Sequence, residues 1–280
     1  MDIYRKKAIV YLIITSVLWS TGGLFIKLVD WNPLAIAGAR SGIAAVVIML
    51  YLKKSIKPLN KITLLGAFAY ASLVILFVTA NKLTTSANAI LLQFTAPIWV
   101  ALFSGWFLNE RPEKSDWLTI IVVMSGMTLF FIGDLKSGNI LGNFVAVLSG
   151  IAMASLITIL KLQDEDRRIE TTLVGNIITF IIGFPFFFLS VPNMRSISGL
   201  LILGIFQLGI PYILYVTSFK HVSAVEAVLI PVIEPLLNPI WVFGFTGEAP
   251  GDHTLLGGAI VIIAIITRGL YQQKKRGAFD

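Results

Sequence analysis

Apolar runs of membrane-crossing length recur along the whole 280-residue chain, separated by connections of only a few residues, and this pattern decides the fold class. A helix rising 1.5 Å per residue needs roughly twenty residues to cross a hydrocarbon layer about 30 Å thick. Ten such spans fit, at roughly 8–29, 34–52, 62–80, 87–108, 116–133, 141–160, 171–190, 197–217, 224–245 and 254–271. They are too long and too continuously apolar for the alternating strands of a membrane barrel, which need only about ten residues each. Composition agrees. Hydrophobic residues make up 56% and charged residues 13%, whereas a soluble domain is about one quarter charged. Too few polar side chains remain to cover a soluble surface, so the chain reads as an all-α integral membrane protein embedded in a lipid bilayer. The first span follows Arg5-Lys6-Lys7 as a signal peptide would, yet it runs to full crossing length without a small-residue cleavage site. It is expected to remain as an anchor.

The net charge of +7 therefore reports orientation, not nucleic-acid binding. With the N-terminus inside, the inside segments carry Arg5, Lys6 and Lys7, then Lys53, Lys54, Lys57 and Lys61, then Arg111 and Lys114. Further on they carry Lys161, Arg167, Arg168, Lys220, Arg268, Lys274, Lys275 and Arg276; Lys27, Lys82, Lys136 and Arg195 fall on the other side. By the positive-inside tendency both termini are expected in the cytoplasm, with the protein in a prokaryotic inner membrane. The absence of cysteine excludes disulfides and thiolate chemistry. His221 and His253 lie near span ends without ligand-spaced companions, so no metal is expected. No cofactor loop or concentrated nucleophile is visible, which makes an enzyme the least favoured class. The mixed-sign stretch Lys161 to Glu170 reads as a solvated linker.

One span is unusually interrupted. Residues 218–250, SFKHVSAVEAVLIPVIEPLLNPIWVFGFTGEAP, hold Glu226, Pro231, Glu234, Pro235, Asn238 and Pro239 inside an otherwise apolar run. A broken membrane helix beside a cavity accommodates such residues better than a packed soluble helix does. Residues 80–112 echo this stretch at an offset of 138, with Lys82, Ala89, Leu91, Pro97, Phe107, Glu110 and Pro112 opposite Lys220, Ala227, Leu229, Pro235, Phe245, Glu248 and Pro250. An internal duplication follows, with units 1–136 and 137–280 divided near the polar turn Gly133 to Asn139. Five spans per unit make the second enter the membrane from the opposite side, so the repeats are inverted. Inverted repeats offer two exchangeable arrangements, a physical route to alternating access.

The in-span polar residues are the candidates for solute handling. Glu226 and Glu234 are eight apart, about 80° around an ideal helix, so both could border one cavity. They could recognise a cationic or amine-bearing solute, exchange protons, form a structural ion pair, for instance with Arg40, or lie closer to the interface than the span boundaries place them. Arg40 could meet a substrate carboxylate, neutralise a glutamate, or snorkel to an interface. Pro97, Pro211, Pro231, Pro235 and Pro239 are expected helix breaks that free backbone carbonyls, and each also reads as a plain kink. Trp19, Tyr70, Asn88, Gln93, Trp99, Asn176, Gln207, Tyr212, Tyr215 and Asn238 complete the set. Aromatic faces can hold apolar bodies or substituted ammonium groups, while amides orient polar ones. Gly38 with Gly42 predicts close helix packing.

Pro97 with Asn109-Glu110-Arg111-Pro112, Pro235 with Gly247-Glu248-Ala249-Pro250, Arg40 after Pro33, and Gly209-Ile210-Pro211 with Tyr215 ahead of Lys220 together resemble the EamA-type repeats of the drug/metabolite transporter superfamily. The resemblance covers nearly the whole chain. It implies ten transmembrane helices in two inverted five-helix repeats around a central cavity, and transport, often export, of small organic metabolites such as amino acids or related amines. It also implies substrate-binding positions at Trp19, Arg40, Tyr70, Asn88, Gln93, Gln207, Tyr212, Glu226 and Asn238. Glu110 and Glu248 match the family's recurrent acid and are expected, with Glu234, to serve coupling or gating. Protons or a counter-substrate are the expected partners in that coupling, and no cofactor is expected. The repeats are not identical: Asn109 stands opposite Gly247, and Ala96 opposite Glu234. A channel or passive pore, and a structural or signalling membrane protein, are the alternatives.

Overall fold

The computed structural model describes residues 3–53, 58–132, 139–237 and 251–276. Asn238, Pro239 and Glu248, and most of the turn proposed to divide the repeats, lie outside the described residues. Nine helical stretches among those described are long and apolar enough to cross a membrane: Ile3–Leu28, Pro33–Leu52, Lys61–Leu83, Ser86–Phe107, Lys114–Phe131, Ile140–Lys161, Glu165–Leu189, Met194–Ser218 and Asp252–Lys274. They are spans one to eight and span ten. Span nine begins at Ala224 and is described through its first two breaks. The protein is an all-α bundle.

In chain order the helices are α1 (Ile3–Trp19), α2 (Gly22–Leu28), α3 (Pro33–Leu52), α4 (Lys61–Leu83), α5 (Ser86–Gln93), α6 (Ala96–Phe107) and α7 (Lys114–Phe131). They continue with α8 (Ile140–Lys161), α9 (Glu165–Gly183), α10 (Met194–Ile202), α11 (Ile210–Ser218), α12 (Ala224–Leu229), α13 (Ile233–Leu236) and α14 (Asp252–Arg276). Span one is α1 and α2, span four is α5 and α6, and span eight is α10 and α11 joined by a wide π-helical turn, Leu203–Gly209. The chain crosses from one face to the other at each span. Arg5 at the start and Arg268 near the end reach the same carboxylate, so both described ends lie on one face, here the terminal face.

Helix packing carries the inverted symmetry. Span one packs on span eight as span six packs on span three; span four packs on span six as span nine packs on span one. Spans two and seven, and spans five and ten, pair with their own counterparts. Lipid tails are as apolar as the side chains, so close approach, not hydrophobic exclusion, must hold such pairs together. Spans two and seven touch backbone to backbone: a Cβ on Gly183 would lie 2.5 Å from the Leu34 carbonyl oxygen. Gly42, one turn beyond Gly38, packs against the ring of Phe180. Outward-facing Leu65, Phe68, Ile121, Phe188 and Ile263 remain exposed, as an acyl-chain environment requires.

The stretch read as a solvated linker is mostly helix. Asp164 accepts from Arg167 N–H at 2.9 Å as the N-cap, which starts α9 six residues before the expected position. Arg168 Nε donates to the Leu160 carbonyl, Thr171 Oγ1 donates to Gln163 Oε1, and Arg167 pairs with buried Glu170. Local capping and i,i+3 pairing thus absorb the charges that resembled a loop.

Candidate functional site

Each broken span delivers polar groups to mid-bundle. In span four, Pro97 sits at the second position of α6, and the helix restarts after Phe94-Thr95. This leaves the Gln93 carbonyl without its helical donor. In span nine, Pro231 lies in the short 3-10 turn Ile230–Val232 and Pro235 in α13. Pro211 opens α11 after the wide turn, and that turn carries Gln207 inward. A Cβ on Gly22, at the break of span one, would stand 2.8 Å from Gln207 Nε2, so the amide needs a glycine opposite it.

A narrow cavity of about 40 Å³ results, lined by Trp19, Arg40, Gln93, Gln207, Tyr212 and Glu234 with Leu73, Val74, Phe77, Met153 and Leu208. Arg40 is only 1% exposed, and its Nη1 donates to Gln207 Oε1 at 2.9 Å. Its Nε, like the indole N–H groups of Trp19 and Trp99, has no partner among the described residues. The Glu234 carboxylate likewise has no hydrogen bond or ion pair among the described residues. Arg40 and Glu234 thus share one cavity without pairing. Trp19 is held between Tyr212 and Tyr215, at ring distances of 5.2 and 4.9 Å. Tyr70 meets Tyr212 edge-on at 4.7 Å and accepts from Asn176 Nδ2 at 2.9 Å, so it buttresses the cavity from behind. Gln93 Nε2 donates to Ser149 Oγ at 3.2 Å.

The remaining candidates stand elsewhere. Asn88 and Glu226, opposite each other in the repeat register, occupy equivalent places at opposite faces. Each is the third residue of a half-helix, and its N–H donates to the N-cap hydroxyl of Thr85 or Ser223. Asn88 joins the neutral cluster of Thr84 and Asn143. Glu226 accepts from Ser223 N–H at 2.8 Å and pairs with Arg5 and, at 3.9 Å, with Arg268. Arg268 also makes two bonds to Asp116 Oδ1, at 2.8 and 2.9 Å. Glu110 accepts from Ala224 N–H and faces Lys161 at 3.6 Å. The lysines repeat the inverted pattern: Lys27 donates to the Thr84 carbonyl and Lys161 to the Val222 carbonyl, the two acceptors standing 138 positions apart.

Sequence reasoning missed the pairing of Asp116 with Arg268 and the apolar wall of Leu73, Val74, Phe77, Met153 and Leu208. Arg268 carried a usable signal, since it falls inside span ten. The apolar wall carried none, because its members look like every other lipid- or core-facing residue.

A helical membrane protein with inverted five-span repeats, broken helices and a polar mid-bundle cavity has the construction of a membrane transporter. The EamA-like transporter family profile matches residues 6–132 and 140–268, and the chain belongs to that family. Membership places it among transporters and not enzymes. The chain is 25% identical over 185 residues to the pseudopaline exporter CntI of Pseudomonas aeruginosa, covering 64% of each chain, just under two thirds of that relative's length. It is 28% identical to the uncharacterized transporter YdfC of Bacillus subtilis, over 92% of this chain and 90% of the other. An S-adenosylmethionine uptake transporter of Rickettsia bellii is 24% identical over 67% of this chain and 65% of its own. One crystal structure superposes with a TM-score of 0.79 over 95% of this chain and 98% of its own; at 16% identity this shows the fold.

Proposed function

We propose that the protein is an alternating-access secondary transporter that exports a small amino-acid-like solute or related amine across a prokaryotic inner membrane, with the terminal face cytoplasmic. The observation that carries this reading is Arg40: a buried guanidinium with one neutral partner among the described residues, in the same cavity as a carboxylate it does not pair with. A guanidinium fork binds a carboxylate bidentately, and in a low-dielectric site the pair is strong. Gln207 orients that fork. Glu234 provides the opposite charge for an ammonium group, and the faces of Trp19 and Tyr212 provide cation–π contact. The two charges of an amino acid thereby replace the counter-ions that Arg40 and Glu234 lack.

The cavity is far below the roughly 300–1,000 Å³ of ordinary ligand sites, so the solute enters when the bundle opens. A cleft of about 560 Å³ lies at the terminal face, lined in part by Arg5, Glu110, Lys161 and Arg268. That cleft gives the solute a vestibule from which it loads once this face opens, and export is the direction we propose. The basic residues named above, concentrated on the same face, support its assignment as cytoplasmic. Units 1–136 and 137–280 act as the two exchanging halves. Glu234 also takes the coupling role, carrying a proton or yielding it to a counter-substrate.

Thermal stabilisation of detergent-purified protein across amino acids, polyamines, quaternary amines, nucleotides and sugars tests the solute class. An amino acid or amine should stabilise the parent, and neither Arg40→Gln nor Glu234→Gln should respond. Selective stabilisation by a sugar or nucleotide, unchanged in both variants, would overturn the reading.

A further inference from the structure

We infer that Arg5, Asp116, Glu226 and Arg268 form a charged gate that closes the terminal face. The gate rests on the alternating-access reading but not on any solute class.

The four residues come from four spans. Arg5 lies in span one and Asp116 in span five, both in the first half; Glu226 lies in span nine and Arg268 in span ten, both in the second. Arg5 Nη2 bonds Glu226 Oε1, and its Nη1 donates to the His221 carbonyl at 3.3 Å. Arg268 holds Asp116 through two donors and leans a third toward Glu226. Asp116 Oδ2 also accepts from Glu113 N–H at 2.9 Å, and Glu226 Oε2 from Ser223 N–H. Two cations and two carboxylates therefore satisfy one another between the halves. All four side chains are at least largely buried, with 4–13% exposure. Separating span nine from span one or span ten must break an ion pair that little water can replace. A buried pair broken on one side is strongly destabilising, so the network favours the arrangement in which this face is shut.

Position supports the same conclusion. Arg5, Asp116 and Arg268 line the 560 Å³ cleft, and no described residue of that cleft lines the central cavity. The network is the floor between them. At the inverted place on the other face Asn88 stands for Glu226 and hydrogen-bonds Thr84 and Asn143, among other contacts. Lys27 and Lys82 there donate to backbone carbonyls, at 2.9 and 2.7 Å. The amide and hydroxyl bonds of Asn88, Thr84 and Asn143 exchange with water at little net cost. At this pair of equivalent positions the two ends are thus alike in backbone and different in side chain, an amide at one and a carboxylate at the other.

The chain has no cysteine, so a single introduced thiol reports access cleanly. Met153→Cys places one in the wall of the central cavity, and Lys6→Cys, exposed near the chain start, identifies the terminal face in vesicles of each orientation. A membrane-impermeant maleimide is then applied from each side. Asp116→Asn should raise terminal-face labelling of the cavity thiol by roughly tenfold or more, since tenfold corresponds to only about 1.4 kcal/mol. Labelling from the opposite face should fall. Asp116→Glu, which keeps the charge, should stay close to the parent. Arg5→Gln, away from the paired spans five and ten, should shift labelling in the same direction and serves if Asp116→Asn does not fold. Equal labelling of folded parent and variants from the terminal face, or an equal rise from both faces, overturns the gate. A cavity thiol that labels from the opposite face alone, whatever the network, removes the gate and leaves the transport reading standing. A cavity thiol inert from both faces in every variant counts against both.

Discussion

Replacing Arg40 with methionine separates a residue kept for binding from one kept for packing. The guanidinium is buried beside Gln207 with its Nε unpartnered, so it makes one charged hydrogen bond in exchange for its desolvation. An arginine at the centre of a membrane helix costs on the order of 2.5–3.5 kcal/mol on insertion scales. A hydrogen bond to a charged group returns about 1.5–3 kcal/mol. The two nearly cancel, and methionine keeps most of the apolar stem in place. Arg40→Met should therefore lie within about 2 kcal/mol of the parent and lean toward higher stability, unlike the roughly 2–5 kcal/mol loss expected from truncating a large core side chain. At roughly 2–4 °C per kcal/mol for a chain of this size, the unfolding midpoint moves only several degrees. Solute binding behaves differently. Removing one partner of a desolvated charge pair costs about 2–5 kcal/mol, on the order of thirtyfold to above a thousandfold in Kd. Intrinsic-fluorescence unfolding in detergent, with and without the stabilising solute, measures both quantities. A midpoint more than about 10 °C lower with the solute response intact would refute this reasoning and make Arg40 a structural residue.

Glu234→Gln should leave the unfolding midpoint within a few degrees, while solute exchange in proteoliposomes and accumulation driven by a proton gradient are both lost; gradient-driven accumulation at the parent rate would assign solute binding and coupling elsewhere. Gly183→Val should destabilise by about 3 kcal/mol or more, because its Cβ would meet the Leu34 carbonyl at 2.5 Å and backbone cannot yield as a side chain can. The unfolding midpoint of the purified variant checks this, and a loss under about 1 kcal/mol would mean that spans two and seven separate easily. Thr85→Ala and Ser223→Ala remove equivalent N-caps on opposite faces, each costing about 1 kcal/mol. Ser223→Ala should in addition loosen Glu226 and raise terminal-face access to the central cavity, an effect Thr85→Ala should lack.

The membrane made the fold legible. A hydrocarbon layer of fixed thickness demands spans of fixed length, so eight of the expected spans and the last reappear with ends displaced by a few residues. The same apolar background exposed Trp19, Arg40, Gln93, Gln207, Tyr212 and Glu234, which meet at one cavity. Glu226 shows where this reasoning fails. An ideal helix sets it about 80° from Glu234, but the chain turns at Ile230–Val232, and Glu226 caps the first turn at one face while Glu234 lies beside the mid-bundle cavity. Helical periodicity gives angle, and depth in the bilayer decided the outcome. Arg268 and Asp116 fail for another reason: they pair across 152 positions, and nothing in local spacing links two residues whose proximity comes from the packing of spans five and ten. The linker after Lys161 misled because charge marks solvation only when the charges are unpaired, and here Asp164, Arg167 and Glu170 engage one another or the helix start.

Two identical inverted halves would make the inward- and outward-open arrangements equal in energy, since each is the other turned over. Backbone features of this chain approach that limit: the lysine-bound carbonyls of Thr84 and Val222, the N-caps at Thr85 and Ser223, and the breaks near Pro97 and Pro235 all recur at the same offset. The side chains depart from it at a few points. Glu226 replaces Asn88, Glu234 replaces Ala96, and Asp116 has Thr254 as its counterpart. Those departures add one mid-bundle carboxylate and one charged network at a single face. Symmetry of the backbone makes the two states interconvertible, so any preference between them must come from the residues that break it. The charged network falls on the terminal face, and Glu234, without an ion pair among the described residues, falls at the cavity that both states share. A transporter needs both assignments: a bias that sets its resting side, and a charge in the middle that a solute or proton can neutralise from either side.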